Sequence, residues 1–161
     1  MANEKEIWQI LEEVKDPEIP VLSVLDMGIV RSVKADEDQI NVVITPTYSG
    51  CPAMDVIAMD IRLKLMEKGY RHVFVQQQLS PAWTTDWMTE EGKQKLKAFG
   101  IAPPDQKPQF CATEMFREVV VQCPRCNSYH TELISQFGST ACKAIYRCLS
   151  CKEAFDYFKC H

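Results

Sequence analysis

Cys123-Pro124-Arg125-Cys126 and Cys148-Leu149-Ser150-Cys151, with 21 residues between them, decide how the last third of this chain folds. A Cys-x2-Cys turn points two sulfurs at one centre, and two such turns on facing hairpins complete the tetrahedron that Zn(II) accepts from thiolates. The gap slightly exceeds the usual ribbon spacing, and a longer hairpin absorbs the difference. Between and around the cysteine turns, Val119 to Gln122, Thr131 to Gln136, Ala144 to Arg147 and Ala154 to Tyr157 read as short strands. Tyr146, Phe155, Tyr157 and Phe158 read as the scarce core of a ribbon over residues 117–161. A tail this short struggles to fold on apolar area alone, whereas structural zinc supplies an apparent ~10–16 kcal/mol in comparable mini-domains. Metal loading and folding are therefore expected to be one event. Spacing does not separate zinc from iron, so a rubredoxin-like electron-transfer site stays open beside a structural zinc ribbon.

The whole chain has 161 residues, 46% of them apolar, enough for one ordinary core and a small appendage. Its apolar runs, such as Val42-Val43-Ile44, are far too short to cross a bilayer, and the start Met1-Ala2-Asn3-Glu4 has no signal-peptide character. A cytoplasmic protein is expected. In a reducing compartment, eight cysteines point to metal or redox chemistry rather than disulfides. Residues 1–116 hold 12 Lys and Arg against 18 Asp and Glu, and residues 117–161 hold 6 against 4. Four thiolates around one Zn(II) would cancel the tail's small positive excess, which argues against nucleic-acid binding.

Upstream, Asn3 and Glu6 resemble a capping box, and Ile7, Ile10, Leu11 and Val14 share a helical face until Asp16-Pro17. Asp16-Pro17-Glu18-Ile19-Pro20 is a rigid turn. Ile29 to Lys34 and Gln39 to Thr45 form a β-hairpin about the acidic turn Ala35 to Asp38. Met54, Ile57, Ala58, Ile61 and Leu65 mark a second helix, Pro52 to Lys68, with Gly69 closing it. Val73 to Leu79 is a third strand, and Thr89 to Phe99 a short helix. The expected fold is α+β: a small α-β-β-α-β domain with a helical tail (1–101), a Pro-rich linker (102–116) and a β-rich zinc ribbon (117–161).

Gly50-Cys51-Pro52 places a lone cysteine at the start of the second helix, where unpaired N–H groups and the helix dipole favour a thiolate. Thr45, Thr47, Tyr48 and Ser49 offer hydroxyls in the same loop, and Asp16 and Glu18 offer carboxylates. The bland alternatives are a small buried hydrophobe at Cys51 and an aspartate that merely stops a helix. Cys142 and the terminal Cys160-His161 read as packing beside the metal, with spare ligands for a second or larger centre as the alternative, Cys111 as incidental, His72 as an ordinary surface histidine, and Trp83 and Trp87 as core or interdomain anchors. No nucleotide-binding glycine loop, Ser/His/Asp arrangement or Glu-x-x-His pair is present, so direct catalysis is not expected.

Asp16-Pro17-Glu18-Ile19-Pro20-Val21-Leu22, Asp26-Met27-Gly28-Ile29-Val30 and Thr45-Pro46-Thr47-Tyr48-Ser49-Gly50-Cys51-Pro52 resemble the metal-sulfur cluster assembly factor family. Pro81-Ala82-Trp83-Thr84-Thr85-Asp86-Trp87 and Phe137-Gly138-Ser139-Thr140-Ala141-Cys142-Lys143-Ala144 narrow the likeness to the PaaD-like family of bacterial phenylacetyl-CoA epoxidase systems. The likeness runs from about Asp16 to Cys160. It implies an accessory factor that matures the ring 1,2-epoxidase of aerobic phenylacetate catabolism, serving its iron-sulfur reductase or diiron oxygenase subunit. On this reading Cys51, with Thr47 and Ser49 around it, matches the family's reactive cysteine and transiently carries iron or an iron-sulfur cluster. Asp16 and Glu18 match its acidic turn. The Cys123/Cys126/Cys148/Cys151 ribbon would hold structural Zn(II), and the dimers formed by related single-domain factors make a homodimer compatible with the likeness. A purely structural adaptor with an inert Cys51 is the remaining alternative.

Overall fold

A computed structural model describes residues 3–104 and 119–159. These fall into two compact units, residues 3–83 with 87–92, and residues 84–86, 93–104 and 119–159. Cys111, Cys160 and His161, and most of the expected linker, lie outside the described residues.

The first unit begins with α1 (Glu4–Glu12), whose N-cap Asn3 accepts a hydrogen bond from the Lys5 N–H at 3.1 Å. Ile7, Ile10 and Leu11 are its buried stripe. Val14 to Asp16 then pairs back with Leu22 to Val24, through Asp16 N–H to Leu22 C=O (2.9 Å) and Val24 N–H to Val14 C=O (3.0 Å). The Pro-rich turn is thus clipped shut at its base. β1 (Val30–Asp36) and β2 (Gln39–Ile44) form the expected hairpin, with Glu37 at positive φ in its turn. β3 (His72–Gln77) joins β2 in parallel, giving the order β1-β2-β3. A parallel pair needs a crossover, and α2 (Ala53–Glu67) supplies it. Ile40, Val42 and Ile44 face the helices fully buried, together with Met54, Ile57, Ile61 and Leu65 of α2. Removing one such side chain costs about 2–5 kcal/mol. Gly69, at φ +99°, ends α2 in a Schellman arrangement: Gly69 N–H to Met66 C=O at 3.0 Å and Tyr70 N–H to Leu65 C=O at 3.2 Å.

Ser23 and Asp26 cap each other, the Ser23 N–H donating to Asp26 Oδ2 (2.9 Å) and the Asp26 N–H to Ser23 Oγ (3.0 Å). Trp83 is buried, and its Nε1 donates to the Met27 carbonyl at 2.9 Å, which makes it a core anchor. Trp87 instead lies under the Arg31 guanidinium, 3.8 Å from the ring centroid. The helix α3 (Glu90–Phe99) starts against Asp26, whose carbonyl accepts from Thr89 N–H at 2.9 Å. From Lys93 onward its residues group with the second unit.

In that unit β4 (Ile101–Ala102), β5 (Thr131–Ser135), β6 (Lys143–Cys148) and β7 (Ala154–Phe158) form a sheet in the order β4-β7-β6-β5. β4 is parallel to β7, so Ile101 and Ala102, expected at the end of the first domain and the start of the linker, add a strand to the ribbon. Val119 to Gln122 is not a strand. Its carbonyls are taken by side chains instead, Tyr146 Oη donating to Val119 and Thr131 Oγ1 to Val121. Tyr146 stacks on Phe155 (6.0 Å between centroids) and meets Tyr157 edge-on (5.6 Å), and Phe158 is fully buried, which is the aromatic core expected. No helix among the described residues is long and apolar enough to cross a membrane.

Gly28 sits at φ +67°, and a Cβ there would fall inside the van der Waals radius of the Trp87 carbonyl. Gly28→Ala is expected to destabilise the first unit by on the order of 2–4 kcal/mol. All three tryptophans lie in that unit, so urea unfolding followed by tryptophan fluorescence reads the loss directly.

Candidate functional site

Two similar turns build the sulfur cluster. In each, the first cysteine's N–H reaches five residues ahead, Cys123 to Ser128 C=O and Cys148 to Glu153 C=O, both at 2.9 Å. The residue after each second cysteine, Asn127 (φ +61°) or Lys152 (φ +66°), turns left-handed, which swings the chain away and leaves the sulfurs facing inward. The turns are tied by Ser128 Oγ to Ser150 Oγ at 2.9 Å and by Leu149 N–H to His130 C=O at 2.8 Å.

The four sulfurs lie within 4.8 Å of one another, with Cys123 to Cys151 at 3.8 Å and Cys126 to Cys148 at 3.5 Å. These separations are far beyond a disulfide, and the described cysteines are free thiols. A tetrahedron with metal–sulfur bonds of about 2.3 Å has edges of about 3.8 Å, so the quartet fits a four-coordinate thiophilic ion. The backbone N–H of Cys151, first among several donors, holds the Cys148 thiol down at about 6. The Glu153 N–H favours the Cys151 thiolate, yet burial and the neighbouring Cys148, Cys123 and Cys126 sulfurs push that thiol up to about 12. Cys126 is also raised: the Ser128 N–H favours its thiolate, but burial and the Cys148 and Cys123 sulfurs outweigh it. One thiolate forms readily, and further ionisation waits for a cation.

Cys51 is not part of the quartet. It is half-buried, after the loop residues Thr45 to Gly50 and immediately before the Pro52 N-cap of α2. Its N–H donates to the Tyr48 carbonyl at 3.3 Å, and Gly50 at φ +78° completes the bend. Thr47 is half-buried and Ser49 exposed. Thr45, which opens the loop, is fully buried with no hydrogen-bond partner for its Oγ1. Asp16 is buried, and its Oδ1 accepts from the Glu18 N–H at 2.7 Å and the Ile19 N–H at 2.9 Å, so it holds its own turn. Glu18 is half-buried beside it. Cys51, Asp16 and Glu18 do not converge into one ligand set: among the described residues the quartet alone brings three or more such groups together. His72 is exposed at the start of β3, and Cys142 is buried with its sulfur 3.0 Å from Thr140 Oγ1. The left-handed residues Asn127 and Lys152 escaped the sequence reading, although their position directly after a second knuckle cysteine was a usable signal.

A model of the PaaD zinc beta ribbon domain matches residues 107–159, and a model of the iron-sulfur cluster assembly protein family matches residues 4–68. The chain is 51% identical over 155 residues, 96% of its length, to an Escherichia coli K12 protein named as the D component of a "Putative 1,2-phenylacetyl-CoA epoxidase", and spans 92% of that protein. The chain belongs to the PaaD-like family of phenylacetyl-CoA epoxidase components. It is also 37% identical, over 60% of its length and 92% of the other's, to an Fe-S protein maturation auxiliary factor of Porphyromonas gingivalis W83. Among solved structures it is similar to a DUF59 domain of unknown function from Bacillus anthracis, at 28% identity, TM-score 0.55, and coverage of 58% of this chain and 90% of that one. A conserved hypothetical protein of Thermotoga maritima gives 26%, 0.51, 59% and 94% for the same measures. This PaaD-like protein thus joins an iron-sulfur assembly domain to a metal-binding four-cysteine ribbon.

The raised Cys126 and Cys151 thiols must each give up a proton when a metal enters, whereas Cys148 is already ionised above pH 6. Apparent metal affinity is therefore expected to rise with pH, by at least about a hundredfold between pH 7 and 8 because two or more protons are displaced, and to fall on acidification. Chelator competition at several pH values measures the slope.

Proposed function

We propose that this protein is a cytoplasmic maturation factor of the phenylacetyl-CoA epoxidase system. In this reading Cys123, Cys126, Cys148 and Cys151 hold structural Zn(II), and Cys51 transiently takes up iron or an iron-sulfur cluster. The cargo is destined for the reductase or the diiron oxygenase subunit, and the ribbon helps recognise that client. The observation that carries the reading is the unequal arrangement of sulfur: four thiols converge within 4.8 Å, while Cys51 stands apart and half-buried at the mouth of α2. That cysteine lies inside residues 4–68, the stretch that matches the iron-sulfur cluster assembly family. A closed tetrathiolate retains its metal, whereas a single protein thiolate leaves coordination positions for an incoming ligand. Thr47 and Ser49 supply hydroxyls in the same loop. Asp16 and Glu18 shape the acidic turn rather than complete a ligand set.

Two measurements test the assignment. Cys51→Ala is expected to leave folding intact and to lower the iron content of the co-expressed reductase or oxygenase subunit severalfold; unchanged iron in both overturns the carrier role. Aerobically purified protein is expected to be colourless with about one zinc per chain. Iron in the quartet, with thiolate-to-iron absorption in the visible, would instead support the rubredoxin-like electron-transfer reading, which shares the four-sulfur geometry.

A further inference from the structure

Helix α2 has two apolar faces. Met54, Ile57, Ile61 and Leu65 are buried, and on the opposite side Val56, Met59, Leu63 and Met66 are each about half exposed, at 48, 51, 50 and 49%. Spacings of three, four and three residues place those four in one stripe along the helix. Single exposed apolar residues are ordinary, but a continuous stripe on a helix already buried on its other side marks a protein contact.

The flanks say which kind. Helical periodicity puts exposed Asp55 and Arg62 along one side of the stripe and exposed Asp60 and Glu67 along the other, three acids against one base. The nearest other cation, Lys64, is committed to Glu13 at 3.0 Å and approaches Glu67 at 3.9 Å. A second copy fits poorly. Packed antiparallel, it would set Asp60 and Glu67 against their own counterparts; packed parallel, it would set Asp55 against Asp60. In each case the pairs that Arg62 makes merely offset the repulsion. One helix face also falls short of the roughly 1,200 Å² that a stable dimer buries, and suits a transient partner better. Val56 stands in the first turn of α2, five residues after Cys51, so the stripe begins at the Cys51 end of the helix.

We propose that the outer face of α2 is where the client docks, contributing an amphipathic helix whose apolar stripe is bordered by Lys or Arg. This rests on the maturation reading above. The test measures binding of the purified reductase and oxygenase subunits to the full-length protein by calorimetry at two salt concentrations. Three forms are compared: wild type, Met59→Lys/Leu63→Lys and Asp60→Lys/Glu67→Lys. The stripe variant is expected to bind about tenfold or more weakly, and the flank variant severalfold more weakly with a smaller salt dependence. Equal binding by the stripe variant overturns the docking face and leaves the maturation reading standing. Failure of the wild type to bind either subunit removes the maturation reading and the inference with it. Two further outcomes also overturn it: a lower thermal midpoint in the stripe variant, which means the chain itself covers the stripe, and a dimer seen by sedimentation that the stripe variant abolishes, which assigns the face to a second copy.

Discussion

Four sulfurs drawn within 4.8 Å of one another cannot all ionise without a cation among them, and the second unit of this protein is organised around that constraint. Cys123 and Cys148 are members of its buried cluster as well as ligands, packed with Val121, Ala144, Tyr146, Phe155 and Tyr157. So small a core leaves little margin once the entropy of ordering the chain is set against it. A metal and the aromatic trio are therefore complementary: an ion bound by the quartet would fix the two knuckles, and the knuckles fix the ends of the strands that carry the rings. Backbone N–H groups lower the Cys148 thiol while burial and the neighbouring sulfurs raise that of Cys151, opposite shifts that express the same constraint.

The first unit is built on an aliphatic core. Its sheet and two helices close over Ile40, Val42 and Ile44, and its irregular stretches are tied down by hydrogen bonds from short polar side chains. Asp16 and Asp26 are the clearest cases, each buried and each satisfying backbone N–H groups of its own loop. Buried carboxylates of this kind are tolerated because the donors favour the charged form. They hold the segment between α1 and β1 in place, and α2 then sets the position of the Cys51 loop.

Much of this was legible in the sequence because the signals are local. The α1 cap at Asn3, the hairpin about Glu37, the α2 stop at Gly69 and the quartet each depend on residues a few positions apart. What was not legible depends on distant partners. Val119 to Gln122 has strand-forming residues, but Tyr146 and Thr131 capture its carbonyls before any neighbouring strand does. Thr89 to Phe99 reads as one helix, and only the contact of Gly92 with Asp26 at one end and the pairing of Ile101 with Asp156 beyond the other reveal that it serves both units. The acidic turn offered carboxylates for chemistry, yet the nearest backbone N–H groups claim Asp16 first. The outer stripe of α2 was hidden because the inner residues already satisfied the helical pattern.

A carrier thiol raises the question of where its other ligands come from. Asp16 and Glu18 do not assemble around Cys51, so on the proposed reading the coordination sphere is completed from outside, by the client or by a small thiol. On the same reading, a client seated on a stripe that begins five residues after Cys51 would complete that sphere as it docks. Cargo would then be held tightly only while the client is present, with the client's own ligands already competing for it. Such coupling would remove the need for a strong resident site in the first unit, and it would account for a carrier cysteine that stands apart from the quartet.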